Sequence, residues 1–299
     1  ILGVAIFLGL YLPIKLHGGF GPMFAAIEAE RPGFLTLPAS GQSPSWFAST
    51  VFLTALGFYL WPHTFGSIYS SKSPDAFRRN AIVMPLYQLV MLFVMFVGFA
   101  AFLTVPGLTG SETDLALLRV SIRTFDPWVV GVIGAAGVLT ALVPGSMILM
   151  SASTILAKNV ILPRLEQDDP RIVRLAKALV PVVAAVALWF TFKGGDSIVA
   201  LLLMGYSFVT QLAPALLCSL LPRNPLTRAG AISGVIAGEA TVAYVTLKGI
   251  NFGVLLPTAP AWVQDLNVGF AALVVNVAVA VIVSLLTRRS AEAAEARPA

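Results

Sequence analysis

Charge is scarce in this chain. Acidic and basic side chains together make up 11% of its 299 residues, where a soluble domain carries about 25%. Cysteine occurs once, as Cys218, which excludes a disulfide framework and a cysteine-based metal site. The two histidines, His17 and His63, are too few for a metal centre. Enzyme patterns are missing as well: there is no His-Glu-x-x-His, no Gly-x-Ser-x-Gly and no pair of acids inside an apolar run. An intramembrane enzyme would need a nucleophile and base or metal ligands at depth. The chain is therefore read as a non-enzyme, with no catalytic residues and no cofactor.

What it has in excess is hydrocarbon. Hydrophobic residues make up 58% of the sequence, and the mean hydropathy is +0.88. Eight apolar blocks, each near the ~20 residues a helix needs to cross a bilayer, lie at Ile1–Leu16, Trp46–Tyr69, Ala81–Val105, Trp128–Ala157, Ile172–Phe192, Ser197–Leu221, Ala229–Leu247 and Val263–Leu286. The implied fold is an all-α membrane protein in which residues 1–286 form one transmembrane domain and 287–299 a short disordered cytoplasmic tail.

The net charge of +5 does not point to nucleic acid, because Lys and Arg sit at the ends of apolar blocks. Thirteen of the nineteen occupy alternate loops, around Lys72–Arg79, Lys158–Lys177 and Arg223–Arg228 and after Leu286. Basic loops stay on the cytoplasmic side of an inner membrane, so these loops and the C-terminus are expected inside and Leu16–Pro44 outside. Helix starts fit this register: Asp126-Pro127, Ser73-Pro74 and Asp169-Pro170 each place a capping residue before a first-turn proline. The first block has no basic n-region and no cleavage site, so it is not a signal peptide. The chain is expected to continue a longer protein.

Proline and glycine deep inside a span free backbone groups that lipid cannot satisfy, so such breaks face protein or a watery cavity. The second block holds Gly57-Phe58-Tyr59-Leu60-Trp61-Pro62-His63-Thr64-Phe65-Gly66, with an indole and an imidazole at the break. It either lines a solute site or is a proline kink whose side chains pack among neighbours. The fourth block holds Val143-Pro144-Gly145-Ser146, then Ser151-Ala152-Ser153-Thr154, hydroxyls that serve a cation on a broken helix or bond between helices. Gln88 follows Pro85 in the third block, and Tyr206, Ser207, Thr210 and Gln211 precede Pro214 in the sixth. Glu239 is the one acid within a span, after Gly230, Gly234 and Gly238 at intervals of four. It is either functional or an interface carboxyl.

From about Trp46 to Leu247 the chain resembles the sodium:solute symporter family. The likeness rests on Gly57–Asn80 with Ile68-Tyr69-Ser70-Ser71-Lys72-Ser73-Pro74-Asp75-Ala76, on Leu139–Asn159, and on Gln211-Leu212-Ala213-Pro214-Ala215-Leu216 through Gly230-Ala231-Ile232-Ser233-Gly234. That resemblance implies a partial five-plus-five inverted-repeat fold with broken helices. The chain would supply core helices five to ten plus two accessory helices, and the preceding core helices of the same protein would complete the site.

Residue by residue, the resemblance implies substrate contacts at Trp61, His63, Gln88 and Tyr206, and ion-binding positions at Val143 and Ser146; Gln211, from the polar cluster before Pro214, is expected among the substrate contacts as well. Two adjacent hydroxyl residues of the family's sodium site fall on Val143 and Pro144, which bring no side-chain oxygen; Ser146 keeps one. The implied activity is import of a small organic solute, a monocarboxylate or an amino acid, coupled to Na+ or H+ by alternating access. His63 is the candidate proton carrier, since its ordinary pKa is about 6.5. The monocarboxylate branch is the implied subfamily, from Val143-Pro144-Gly145-Ser146-Met147. The alternative is a membrane sensor built on a transporter domain.

Overall fold

The computed structural model describes residues 2–166, 169–194 and 197–295, without the side chains of 193, 194, 252 and 289–295. Hydrocarbon offers the backbone no hydrogen-bond partners, so a spanning chain must satisfy them within each segment, as helices do. The regular elements among the described residues are all helical. In chain order the α-helices are α1 Leu2–His17, α2 Phe20–Glu30, α3 Pro44–Gly57, α4 Pro62–Tyr69, α5 Pro74–Gln88, α6 Met91–Thr104, α7 Ala116–Thr124, α8 Pro127–Ile155, α9 Pro170–Gly194, α10 Ile198–Val209, α11 Ala213–Ser219, α12 Arg228–Lys248, α13 Phe252–Leu255, α14 Ala261–Gln264 and α15 Val268–Glu295.

Six stretches of described residues are long and apolar enough to span a bilayer: Pro74–Thr104, Pro127–Ile161, Pro170–Phe192, Ile198–Ser219, Arg228–Lys248 and Val268–Arg288. They correspond to six of the eight expected blocks. The first block is α1, which turns through 66° into α2 at Gly18 and Gly19, whose φ angles of 75° and 127° favour residues without a Cβ. The second block is broken. Of the tail expected at 287–299, residues 287–295 continue the helix α15 and 296–299 lie outside the described residues.

Capping chemistry sets several of the starts. Ser73 accepts from the Ala76 amide at 3.1 Å and Asp169 from Arg171 at 2.8 Å. The Arg171 side chain also donates to Asp169 and holds that carboxyl below the usual range. Asp126 occupies the cap position of α8 without a side-chain cap bond. The last span begins at Val268 instead of Val263 because Asn267 accepts from the Gly269 amide at 2.8 Å. A helix starts where its first free N–H finds a cap, not where hydropathy rises.

The fourth span corrects an expectation. α8 runs unbroken through Pro144 from Pro127 to Ile155 and then widens into a π-turn over Leu156–Ile161. Proline removes one N–H and leaves the carbonyl four residues back, that of Thr140, without its helical donor. Ser146 Oγ donates to the Val143 carbonyl at 2.8 Å, so this hydroxyl is folded back on its own helix.

The chain divides into two compact units, Ile1–Leu35 with Phe65–Ile198, and Thr36–Thr64 with Val199–Ala299. The first has a core of Leu8, Leu12, Met23, Ile27, Val97, Ala100 and Val120. Gly9 lets α1 lie against the backbone of Phe93 in α6, where a Cβ would sit 2.6 Å from its Cα. α2, within the stretch Leu16–Pro44, buries Met23 and Ile27, spaced one helical turn apart.

In the second unit α12 lies along α15. Gly230, Gly234 and Gly238 are all buried and meet Ser284, Ala280 and Asn276 of α15. Thr227 and Thr287 hydroxyls are 2.7 Å apart at one end of the pair. Polar bonds then tie α15 to α3: the Asn267 amide nitrogens donate to Ser49 and Thr50 hydroxyls, each at 2.9 Å. Without a hydrophobic drive between helices in lipid, close packing and such bonds hold the unit together.

Candidate functional site

α3 ends at Gly57, tightens into a 3-10 turn over Phe58–Leu60, and stops at Trp61, whose backbone is extended with φ −59° and ψ 130°. α4 restarts at Pro62. The cause is local: proline drives the residue before it out of the helical region, and it cannot donate to the carbonyl four residues back. Trp61-Pro62-His63 is therefore a true interruption of an apolar segment.

One side chain, that of Tyr206, meets it from α10. The Trp61 and Tyr206 rings meet edge-to-face at 89° with centroids 5.5 Å apart. Trp61 and His63 lie 6.1 Å apart, tilted by 47°. All three are half-buried, so each keeps a face open. Trp61 brings an indole N–H, Tyr206 a hydroxyl and His63 an imidazole, on aromatic faces of large area. Such a wall suits a small organic molecule with a polar end, and none of the three is an acid.

Beneath these rings the helix on the α10 side is itself interrupted, by a 3-10 turn over Thr210–Leu212 before Pro214. Thr210 donates to the Leu53 carbonyl at 3.2 Å. Gln211 is fully buried. Its amide nitrogen donates to the carbonyls of Ser207 and Gly269, both at 3.0 Å. Asn276 of α15 donates to the Gln211 main-chain carbonyl at 2.7 Å and to its Oε1 at 3.2 Å. So Gln211, expected among the solute contacts, spends its amide on the protein and bridges α10 to α15. Replacing it by Leu strands buried carbonyls, which costs about 1–3 kcal/mol. The thermal unfolding midpoint of the detergent-solubilised full-length protein should fall accordingly, and an unchanged midpoint would remove this bracing role.

The remaining expected residues belong to the other unit. Gln88 is exposed at the end of α5, where Leu89 and Val90 donate only three residues back. Val143 is 60% exposed, and its carbonyl accepts from Ser146. The bracing residues Asn267, Asn276 and Gly205 were not singled out in the sequence, although an asparagine in an apolar run is a signal that it is bonded.

A cavity of about 760 Å³ in the second unit has Phe52, Pro214, Leu217, Phe270, Val274 and Val277 among its walls. It includes neither Trp61 nor His63, and its wall is mostly apolar, with Ser284 and Arg288 as its polar members. The broken helix is the better candidate.

A family model described as the sodium:solute symporter family matches residues 4–238. A Bacillus subtilis protein described as an uncharacterized symporter, YhjB, is 60% identical over 98% of this chain and 60% of its own length. A protein of Rhizobium johnstonii described as a monocarboxylate transport permease is 26% identical over 92% of this chain and 56% of its own. The B. subtilis high-affinity proline transporter PutP is 26% identical over 97% of this chain and 60% of its own. The chain thus spans less than two thirds of the length of these relatives. No solved structure matches it.

Proposed function

Because this chain belongs to the sodium:solute symporter family, we propose that it forms the greater part of a secondary transporter that imports a small organic solute, driven by a cation moving down its own gradient. The observation that carries this reading is the break at Trp61. Non-helical backbone at membrane depth is tolerated beside protein or water, and transporters use such breaks to hold cargo. One bundle would rock against the other about that point. The full protein would lie in the cell membrane with the 70–80 loop and the C-terminus cytoplasmic, an orientation supported by the distribution of Lys and Arg.

Trp61 and His63 would cap or contact the solute, and Tyr206 and Gln88 would hydrogen-bond it. Gln211 would act by holding the α10 side in place. A monocarboxylate is the favoured cargo: the start of α4 is the positive end of a helix dipole, and the three aromatic residues include hydrogen-bond donors and no acid. The relative described as a monocarboxylate permease is in line with this.

Sodium coupling is what the family suggests, with Val143 and Ser146 contributing a backbone carbonyl and a hydroxyl. Proton coupling is favoured by a different observation, since Val143 has no side-chain oxygen and a hard cation takes several oxygens. The test is uptake into proteoliposomes of the full-length protein, with short monocarboxylates and proline offered under an imposed sodium gradient or an imposed pH gradient. Accumulation of a monocarboxylate under one gradient is the expected result. Uptake that survives replacement of sodium by choline at fixed pH assigns the proton. Failure of every solute under both gradients would overturn the reading.

A further inference from the structure

The Trp61 ring has an unusual seat. It lies directly on Gly205 of α10, in the helix interior, where glycine is the less favourable choice relative to alanine. A Cβ built on Gly205 would stand 2.7 Å from Trp61 Cη2 and 3.2 Å from Cζ2. These atoms belong to the rigid six-membered part of the indole, so the contact cannot be relieved by bending a flexible end. Only movement of the whole ring would relieve it.

The surroundings limit where the ring could move. Tyr206 blocks one side edge-on at 5.5 Å. Tyr206 is itself held against Gly57, where a Cβ would lie 2.8 Å from its Cδ1 and would also run into Thr210 Oγ1. Thr210 in turn is fixed to Leu53. Two residues without side chains, Gly57 and Gly205, thus let the two aromatic rings settle onto the backbones of α3 and α10. Trp61 is only half-buried, and a ring pushed off Gly205 has to move away from α10. With Trp61 assigned to the solute site, that movement takes space from the solute.

We propose that Gly205 is a specificity-determining position: by having no side chain it lets Trp61 recede, and so sets how long a solute the site accepts. This rests on the assignment of Trp61 to the solute site. Enlarging residue 205 shortens the site by about the space of one methylene. One methylene in a fitted pocket changes discrimination by about 10- to 200-fold.

The experiment uses the full-length protein with Gly205→Ala, and reads two things. In proteoliposomes, linear monocarboxylates of increasing length are taken up from low concentration. The variant should lose about 10-fold or more on the longest acid that the unaltered protein accepts, while the shortest changes by less than about threefold. In detergent, the protein is labelled with 5-fluorotryptophan, and the Trp61 resonance is assigned by its loss in Trp61→Phe. Gly205→Ala should shift that fluorine resonance and leave the others in place.

A uniform loss across the acids, or an unaltered length profile, overturns the specificity role, and an unmoved resonance overturns the seat itself. If no acid is transported by the unaltered protein, the solute assignment fails, whereas the fluorine signal still decides whether Gly205 seats the ring. Should Gly205→Ala fail to fold, Gly205→Ala with Trp61→Phe decides. A phenyl ring does not reach as far as Cη2, so it should restore the folded yield, and persistent misfolding would sink the proposal.

Discussion

Trp61→Ala in the full-length protein should reduce initial solute uptake by about 10- to 150-fold at low solute concentration. The indole is half-buried, with Tyr206 and Gly205 against it. A large apolar side chain that covers a ligand contributes about 1.5–3 kcal/mol. A loss of that size converts to that range, since about 1.36 kcal/mol is tenfold in rate. Trp61→Phe keeps an aromatic face and should lose much less. Amounts of protein in the membrane must be matched by immunoblot, because a folding defect would mimic the effect. Uptake near the unaltered level at matched abundance would remove Trp61 from the solute site.

The break on which this rests was legible because its cause is local. Pro62 acts on Trp61 through covalent geometry alone, and no neighbour is needed to enforce it. The same holds for the starts at Ser73-Pro74 and Asp169-Pro170. Pro144 carries the same local signal, yet α8 passes through it, so one proline gives a kink or a break depending on what else satisfies the freed backbone. The turn at Gly18-Gly19 joins α1 to α2 within a stretch that hydropathy assigns partly to a loop.

Side-chain roles were less legible than backbone breaks. A glutamine in a span must be bonded, but the partner is a matter of tertiary contact. Gln211 and Tyr206 lie close together in sequence and look alike as polar intrusions, yet one braces α15 and the other faces an aromatic cluster. Gly205 was silent for a related reason: the absence of a side chain acquires meaning only from the ring resting on it. Stripes of small residues are more informative, since Gly230, Gly234 and Gly238 repeat at helical spacing and do form the contact face of α12.

That face carries the other large expectation. Gly234→Leu should strip most of the folded protein from the membrane. A Cβ at residue 234 would stand 2.7 Å from both Ala280 Cβ and Asn276 Oδ1, and 2.8 Å from the Asn276 carbonyl oxygen. The carbonyl and the Cβ atom of Ala280 are fixed to helix α15, so α12 must move bodily to admit even a methyl. Overpacking typically costs about 1–3 kcal/mol. Separation of the helices would also strain the Asn276–Gln211 bonds and the Thr227–Thr287 pair; polar bonds between membrane helices are worth about 0.6 kcal/mol each on average. A total near ~3 kcal/mol or above changes steady-state abundance severalfold. Ile236→Leu is the control, because that side chain is 63% exposed and should leave abundance unchanged. Gly234→Ala should fall between them, and Ala280→Gly in the same chain should recover part of its loss by removing the opposing methyl. Normal abundance and uptake in Gly234→Leu would mean that α12 and α15 do not approach as closely as Gly234 requires.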